Sequence, residues 1–470
     1  MIGMVMLLAV LLLLFLPSRD RNVPAQSSVP DGSATDNTSV HATAAAPTPK
    51  PHYRSPAEFV PRPTAQEIVA GKLRQFIWSR RALMYALAKQ HGIAVPEGAE
   101  RFFNALAAGD WNEIKAQYAA VIIAKHQNLN DSSDPGGGTL GRPADIQSLW
   151  PAIHDAYGAA LTVQRWPAQQ LLDYGNAVLD SLRPGMAYLG GTDSGRWIPE
   201  LLNDTSDGER HIILTQNSLA DPNYLDYVNL QYGDQFVALA PDDANRAYAN
   251  YLSDYQKRLA HDQQFPDEPA QIRPGESDGV KVGDDGQLSV HGLKTMVSVM
   301  AINDQLLQLL LQKNPDLSFA MEQSFPLPSA LAGAVSLGPI MELRAADGQN
   351  NLSADSAAAQ SLAYWQTTAQ QLMASQEVSA ALDTLRAYSH DLNAQAGLFA
   401  SHNLSAQAEQ AFQLANQLSP ANPEVIFGYT SLLMNQGRFD EARQLIQTAV
   451  GLAPNSQDFQ HLLQRLNQRN

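Results

Sequence analysis

The feature that most constrains the fold is a repeat near the C-terminus with a period of 34 residues. Four positions recur at this interval, so that Ala408, Ala415, Leu418 and Pro420 correspond to Ala442, Ala449, Leu452 and Pro454. A period of about 20–50 residues is typical of stacked units, each of which buries its apolar face only against its neighbours. Because alanine side chains are small, helices that carry them can approach closely. The pattern predicts a helical solenoid of antiparallel helix pairs, which we place within residues 354–470.

The turn between the two helices of the second unit runs from Gly437 to Ala442. This turn and the period resemble the tetratricopeptide repeat (TPR) family. We expect Phe439 and Ile446 to fill the gap between the two helices, and Pro454, which lacks an amide hydrogen, to end the second one. The resemblance implies a right-handed superhelix whose concave face binds peptides or protein segments. The alternative is that so short an array only buttresses the neighbouring domain.

The N-terminus carries an unbroken apolar run from Ile2 to Leu16. A helix of about fifteen residues spans roughly 22 Å, less than the ~30 Å hydrocarbon core of a bilayer. We therefore predict a signal peptide or short signal-anchor at residues 1–17, followed by a disordered tether at residues 18–62, which are rich in Ser, Thr, Ala and Pro. We expect a membrane-anchored chain with an extracytoplasmic, periplasmic body. Arg19 and Arg21 favour the opposite orientation, so the membrane side stays open.

Composition and motifs argue against several classes of function. The net charge of −16 argues against a nucleic-acid partner, which needs a cationic surface. The absence of cysteine excludes disulfides and thiolate metal sites, and the 11 histidines show no local zinc-binding spacing. Gly136, Gly138 and Gly141 match the dinucleotide fingerprint but follow a polar loop instead of a strand. We therefore expect no cofactor and no metal, and we favour a non-enzymatic role.

The region before the repeat divides into a helical part and an α/β part. Residues 63–144 show helical spacing, with a hairpin of two helices at 96–107 and 111–124. On the first helix of this part, we expect Arg80 to face solvent and Trp78 to lie in the core. Residues 145–347 alternate short apolar runs with helices, which indicates a mainly parallel sheet. The expected strands are Met186–Leu189, His211–Leu214, Phe236–Leu239, Leu317–Met321 and Ile340–Leu343. The predicted fold class is thus α/β plus all-α.

Polar segments that follow the predicted strands form the best candidate site. In parallel α/β sheets, ligands lie outside the carboxyl ends of the strands, where helix N-termini present free amides. We expect Asp193 to orient a hydroxyl group or a metal ion, and Arg196 to bind a phosphate or a carboxylate. The alternative is ordinary turn-and-cap chemistry, with Arg196 paired to an acidic neighbour. The candidate ligand-binding residues are Gly190, Gly191, Thr192, Asp193, Arg196, Gln216, Asn217, Asp221 and Glu322.

Three of these segments together resemble a second family. Residues 190–196, 215–221 and 322–326 are similar to the soluble, TPR-bearing tail of a bacterial family of multi-pass membrane proteins related to protein O-mannosyltransferases. The multi-pass catalytic part of that family is not found in this sequence. The resemblance therefore implies an accessory or glycan-recognising role instead of transferase activity.

Two functional hypotheses follow from these features. The first is a membrane-anchored scaffold or adaptor at the cell envelope, whose TPR helices bind a protein or peptide partner. The second is a glycan-related enzyme or sugar-binding protein that uses the loop from Gly190 to Arg196. The sequence leaves the identity of the partner or ligand open.

Overall fold

The computed structural model describes residues 62–126, 144–272, 276, 280–282, 288–290, 296–322, 328–331, 333–344, 353–375, 377–378 and 381–467. The predicted membrane segment at residues 2–16, nearly all of the predicted tether, and the glycines at 136–141 lie outside these residues. Within the described ranges, no helix is long and apolar enough to cross a membrane. From Ala65 onward the described residues belong to one compact unit.

Three helices form the N-terminal part: α1 (Ala65–His91), α2 (Glu97–Ala108) and α3 (Trp111–His126). The predicted helical hairpin is confirmed, and Phe102, Phe103 and Tyr118 lie in one hydrophobic cluster that includes residues of both its helices. Two expectations for α1 are wrong, because Trp78 is 74% exposed and Arg80 is fully buried. Burial of a charged guanidinium requires partners of opposite charge, and carboxylates distant in sequence pair with Arg80.

The sheet has five strands, in the order Ile212–Thr215, Ala187–Gly190, Phe319–Met321, Ile340–Arg344 and Val335–Leu337. Its strands are β1 (Ala187–Gly190), β2 (Ile212–Thr215), β5 (Phe319–Met321), β6 (Val335–Leu337) and β7 (Ile340–Arg344), while β3 (Val280–Val282) and β4 (Leu288–Val290) form a separate antiparallel hairpin. Strand β1 pairs in parallel with β2 and β5, whereas the β5–β7 and β6–β7 pairs are antiparallel. The sheet is therefore mixed, with two parallel and two antiparallel pairs, and the prediction of a mainly parallel sheet is wrong. Strands β6 and β7 are joined by a two-residue turn, which only antiparallel strands allow.

Helices surround this sheet. Those before β1 are α4 (Ala144–Gln147), α5 (Trp150–Arg165) and α6 (Ala168–Ser181). Those between the strands are α7 (Ser194–Asp204), α8 (Pro222–Tyr232), α9 (Pro241–Gln264), α10 (Met296–Lys313) and α11 (Pro328–Leu331). The sheet therefore lies within a mostly helical chain.

The strand predicted at Phe236–Leu239 is absent, and this segment is a loop between α8 and α9. Both Phe236 and Leu239 are buried, which explains the apolar pattern. The side chain of Asn314 bonds the backbone of Val237 on both sides, accepting from its amide at 2.7 Å and donating to its carbonyl at 2.9 Å. An apolar run is therefore buried here without a neighbouring strand, because a side chain satisfies the backbone.

The C-terminal part is entirely helical over its described residues. Its helices are α12 (Ala354–Ala374), α13 (Leu382–Ser401), α14 (Ser405–Leu418), α15 (Pro423–Asn435), α16 (Phe439–Leu452) and α17 (Gln457–Asn467). The four repeat alanines, Ala408, Ala415, Ala442 and Ala449, are all 0% exposed. Helices α13 and α14 form one antiparallel pair, α15 and α16 form the next, and α17 follows as the last helix.

The turns inside the two helix pairs are equivalent. Asn403 has φ 62° and Gly437, 34 residues later, has φ 75°. Both values lie in the left-handed region, which glycine and asparagine tolerate better than other residues. One packing expectation is wrong: Phe439, which immediately follows this turn, is 41% exposed, and Ile446 alone of the expected pair is buried, at 0%. Pro454 follows the end of α16, as expected.

The sheet and the repeat share a hydrophobic core. One buried cluster contains Tyr188 and Ala320 from the sheet together with Trp365, Phe412 and Val425 from the C-terminal helices. Polar contacts add to this packing. The first helix pair is therefore attached to the sheet, whereas a smaller cluster holds α15, α16 and α17 together. Two of these polar contacts are the 2.8 Å bonds from Ser336 to Gln395 and between His402 and the Ala334 carbonyl.

The contacts of Asp243, in the first turn of α9, predict how the stability of the fold depends on pH. Its carboxylate accepts hydrogen bonds from Lys313, Arg246 and the Ala240 amide, and its side chain is 1% exposed. Burial favours the protonated acid, but these hydrogen bonds outweigh it and lower the pKa of Asp243 to about 2. The stabilisation is therefore present above the unfolded-state pKa near 4 and is lost as the pH falls through about 2.

We expect Asp243→Asn to lower the free energy of unfolding by about 2 kcal/mol at pH 7, because it removes charge-assisted hydrogen bonds. The difference from the wild type should shrink as the pH is lowered from 4 toward 2. Urea unfolding of the full chain at several pH values measures it. The control is Asp254→Asn, whose side chain is 61% exposed. A pH-independent difference, or an equal loss in both variants, would contradict the assignment.

Candidate functional site

The predicted loops come together at one edge of the sheet. Strands β2, β1 and β5 are parallel neighbours, so their carboxyl ends and the loops that follow them meet there. Three hydrogen bonds link the loops: Thr215 Oγ1 to the Gly191 carbonyl at 3.0 Å, Asn217 Nδ2 to Thr192 Oγ1 at 3.2 Å, and Gln216 Nε2 to the Glu322 carbonyl at 3.4 Å. The structure therefore assembles the expected crevice residues from three separate segments.

Asp193 and the glycines of its loop position the start of α7. The carboxylate of Asp193 caps the helix by accepting from the Gly195 amide at 3.0 Å. At Gly195 a methyl group would lie 2.0 Å from Glu322 Cδ, and at Gly190 it would lie 2.6 Å from Arg196 Cβ. The glycines thus allow close approach, and the groups that approach are other parts of this chain.

Arg196 is not available to a ligand, contrary to our first expectation. Its side chain is 2% exposed. Its Nε donates to the Gly191 carbonyl at 2.8 Å, one terminal nitrogen donates to Asp155 at 2.7 Å, and the other pairs with Glu200. The alternative, pairing with acidic neighbours, is the one the structure shows.

Arg196 belongs to a buried ionic network that also includes Arg80 of α1. Arg80 donates to Glu200 at 2.8 Å and also pairs with Asp204. Burial opposes ionisation of Asp155, but Arg196 and Arg80 outweigh it and lower its pKa. Burial raises the pKa of Glu200 to about 8, against the attraction of the arginines. Two guanidinium groups thus face three acidic side chains, those of Asp155, Glu200 and Asp204.

Asp221 also has a local role. Its carboxylate caps α8 by accepting from the Asn223 amide at 3.0 Å, and it accepts from the Asn223 side chain at 3.2 Å. Of the nine candidates, Arg196, Asp193 and Asp221 therefore have clear structural tasks. The fully buried Gln216 fixes the backbone at Glu322 through its Nε2.

The sequence reasoning missed the residues that meet Glu322 from the repeat side. His390 Nδ1 lies 3.7 Å from Glu322 Oε1 and 3.7 Å from Asp391 Oδ1, and His390 Nε2 lies 3.2 Å from Glu424 Oε2. His390 and Asp391 belong to α13 and Glu424 to α15. His390 and Glu424 are 34 residues apart, so they occupy equivalent positions in successive helix pairs. That spacing was the available signal, because equivalent positions face the same way.

The electrostatics of this group are unusual. Burial, and then the charges of Asp193 and Asp391, raise the pKa of Glu322 well above its usual range. Burial likewise raises the pKa of Asp391, although His390 and Tyr174 oppose the shift. Burial would lower the pKa of His390, but Glu424, Asp391 and other carboxylates raise it well above its usual value. Burial thus favours the neutral acids of Glu322 and Asp391, whereas the surrounding carboxylates favour the protonated form of His390.

Two tyrosines hold the group in place. Tyr174 donates to Asp391 Oδ2 at 2.8 Å, and Tyr188 donates to the Gly195 carbonyl at 2.7 Å. Burial raises the pKa of both phenols, so both remain protonated donors. Acidic, hydroxyl and imidazole groups thus lie in a fixed arrangement between the sheet and the first helix pair. This arrangement is suited to bind a cation or a polyhydroxyl group.

Comparison with known proteins supports one part of the sequence interpretation, the C-terminal repeat. No curated protein and no solved structure matches the sequence, so the resemblance of the middle region to the O-mannosyltransferase-related family has no support from these comparisons. A family model for the tetratricopeptide repeat matches residues 404–466, which cover α14, α15, α16 and nearly all of α17. The C-terminal helices of this chain therefore contain a tetratricopeptide repeat region.

Proposed function

We propose that this chain is a membrane-anchored scaffold that binds a protein segment through its tetratricopeptide helices. The observation that supports it is the repeat match over residues 404–466, together with the complete burial of the four repeat alanines. Tetratricopeptide repeats generally bind protein partners, and their stacked helices form extended binding surfaces. A protein-interaction scaffold is the function that follows from this repeat.

Helix α15 offers the surface on which the proposal can be tested. Counted from Glu424, Ser431 lies seven residues and Asn435 eleven residues further along the chain. These spacings place the three side chains on one face of the helix. None of the three is fully buried. The opposite side is covered, because Tyr429 stacks on Phe412 of α14 with ring centroids 5.6 Å apart. We infer that the partner segment contacts the face defined by Glu424, Ser431 and Asn435, here called the α15 face.

The test uses the full chain, because the repeat shares its core with the sheet. We expect the double variant Ser431→Arg/Asn435→Arg to lose at least about 90% of specifically co-purified protein, since two bulky cations would block the α15 face. The matched control is Gln410→Arg/Gln417→Arg, at exposed positions of α14. Co-purification followed by identification of the bound proteins measures the effect. Equal recovery by both double variants, or no specific capture by the wild type, would contradict the proposal.

The membrane part of the proposal depends on the apolar run at residues 2–16. We propose that this run holds the chain at a cell-envelope membrane and that the body lies on the extracytoplasmic side. Deletion of residues 2–16 should move the chain from the membrane fraction to the soluble fraction. Protection of the body from protease added outside the membrane would contradict the proposed side.

The glycan hypothesis is the second candidate, favoured by the assembly of three polar loops at the sheet edge. Thr192, Asn217 and Glu322 provide hydroxyl, amide and carboxylate groups of the kind that bind sugar hydroxyls. The arginine expected to hold a phosphate is buried in ion pairs, which weakens the case for a nucleotide-sugar. The scaffold proposal is therefore preferred.

A further inference from the structure

We propose that Glu322, His390 and Asp391 form a binding site for one divalent transition-metal ion, which joins the sheet to the first helix pair. The three side chains each offer one donor atom, and these atoms all lie within 4.8 Å of one another. Glu322 follows β5, whereas His390 and Asp391 are adjacent on α13. An ion here would link segments that are far apart in sequence. The inference does not depend on partner binding, although Glu424 of the α15 face also contacts His390.

The distances between the donor atoms are slightly longer than those around a bound metal ion, so the side chains would move closer together on binding. The two separations from His390 Nδ1, to Glu322 Oε1 and to Asp391 Oδ1, are both 3.7 Å. An ion with bonds of about 2.1 Å holds neighbouring donors roughly 3.0–3.4 Å apart. Small side-chain rotations are therefore sufficient to close the site. One imidazole nitrogen and two carboxylate oxygens are ligands that zinc and manganese both accept.

The groups behind the donors orient them as second-shell partners do in metal sites. Glu424 Oε2 lies 3.2 Å from His390 Nε2, so with the proton on Nε2 the lone pair of Nδ1 faces the two carboxylates. Tyr174 donates to Asp391 Oδ2, which leaves Oδ1 on the side of His390. Oδ1 accepts no hydrogen bond among the described residues, although the Asp391 side chain is only 4% exposed. A buried, unpartnered carboxylate oxygen that faces other donors indicates a missing ligand.

Charge supplies a separate argument. Glu322 and Asp391 are each 4% exposed, and His390 contacts both of them. Asp193 and Glu424 add negative charge nearby. The molecule shows elsewhere how it balances buried carboxylates, because Asp155 and Glu200 pair with two buried arginines. A divalent cation would do the same for Glu322 and Asp391, and the 19% exposure of His390 gives the ion a route of entry.

Gly195 explains how the site fits beside the sheet. The Glu322 carboxylate lies where a side chain at position 195 would be, since a methyl group there would be 2.0 Å from Glu322 Cδ. Gly195 thus leaves room for the carboxylate of the proposed ligand residue Glu322. The space that this glycine leaves is filled by the Glu322 carboxylate, so it favours an ion bound inside the fold over a phosphate bound at the surface.

The experiment loads the chelator-treated full chain with zinc, manganese, magnesium or calcium, and measures bound metal, affinity and Tm. We expect one equivalent of zinc or manganese to bind and to raise the Tm. Asp391→Asn and Glu322→Gln should lower the affinity at least about tenfold, and Glu424→Gln, which acts through His390, by about 10–100-fold. The matched control is His461→Gln, an exposed histidine on α17 that should leave binding unchanged.

A second measurement separates loss of the ligand from loss of the fold. Without metal, Asp391→Asn and Glu322→Gln should keep or raise the Tm, because each replaces a buried ionisable group with a neutral group of the same shape, yet neither variant should gain stability from the ion. Failure of the wild type to bind any of the four ions would overturn the site. Binding that survives all three substitutions would do the same, since the ion would then lie elsewhere.

Discussion

Replacing Arg196 with methionine is expected to lower the free energy of unfolding of the full chain by about 3–5 kcal/mol. Methionine preserves much of the side-chain volume, so the loss reflects charge more than packing. Without the guanidinium, Asp155 loses a 2.7 Å ion pair and Glu200 loses another, while both remain buried. An unpaired buried carboxylate must be protonated or must draw water into the core, and both outcomes destabilise the fold.

The matched control is Arg101→Met on α2. Arg101 also pairs with a glutamate, Glu97, but the two side chains are 53% and 82% exposed. Exposed ion pairs contribute about 0–1 kcal/mol, so this substitution should have little effect. Urea unfolding followed by circular dichroism measures both variants. A loss at Arg196 no larger than that at Arg101 would show that the network is not structural, and would restore Arg196 as a candidate ligand-binding residue.

The repeat was predictable because its signals are local and periodic. Small residues at a fixed interval specify where two helices meet, and no distant part of the chain has to be known. The buried alanines at 408, 415, 442 and 449 bear this out. Phe439 shows the limit of the pattern: its aromatic character suggested burial, but its exposed fraction of 41% depends on how closely neighbouring helices cover it.

Charged residues on α1 and α7 were harder to interpret. The sequence favours a solvent-facing Arg80 and a Trp78 in the core. The structure reverses both, with Trp78 exposed and Arg80 buried against Glu200 and Asp204. A charged side chain is buried only when partners from other elements reach it, and a single helix does not show those partners.

Only the part of the candidate site that belongs to the sheet was predictable from the sequence. The loops after β1 and β2 could be brought together from the sequence, because the carboxyl ends of neighbouring parallel strands share an edge. His390 and Asp391 lie on α13, about seventy residues after Glu322, and nothing in the local sequence links them to it. Their position follows from the packing of the first helix pair on the sheet, which depends on the shared core.

That shared core leads to the second large effect, which we expect for Trp365→Ala on α12. Trp365 is 0% exposed, and its ring meets Tyr388 of α13 edge-on, with centroids 6.3 Å apart. Its cluster joins sheet residues such as Tyr188 to repeat residues such as Phe412. Truncating a buried tryptophan removes its apolar contacts and leaves a cavity, so the free energy of unfolding should fall by about 3–5 kcal/mol.

The Trp365 variant also tests whether the loss of stability affects the sheet and the repeat equally. Because the two share one core, they should unfold together. We expect the transitions seen by tryptophan fluorescence and by circular dichroism to shift by the same amount in urea. Trp78→Ala, at a position that is 74% exposed, should change stability by no more than about 0.5 kcal/mol. If the Trp365 variant instead splits the transition, with only part of the helical signal lost early, then the repeat folds on its own. The repeat and the sheet would then be two folding units that pack against each other. Any ion bound by Glu322, His390 and Asp391 would link these two units.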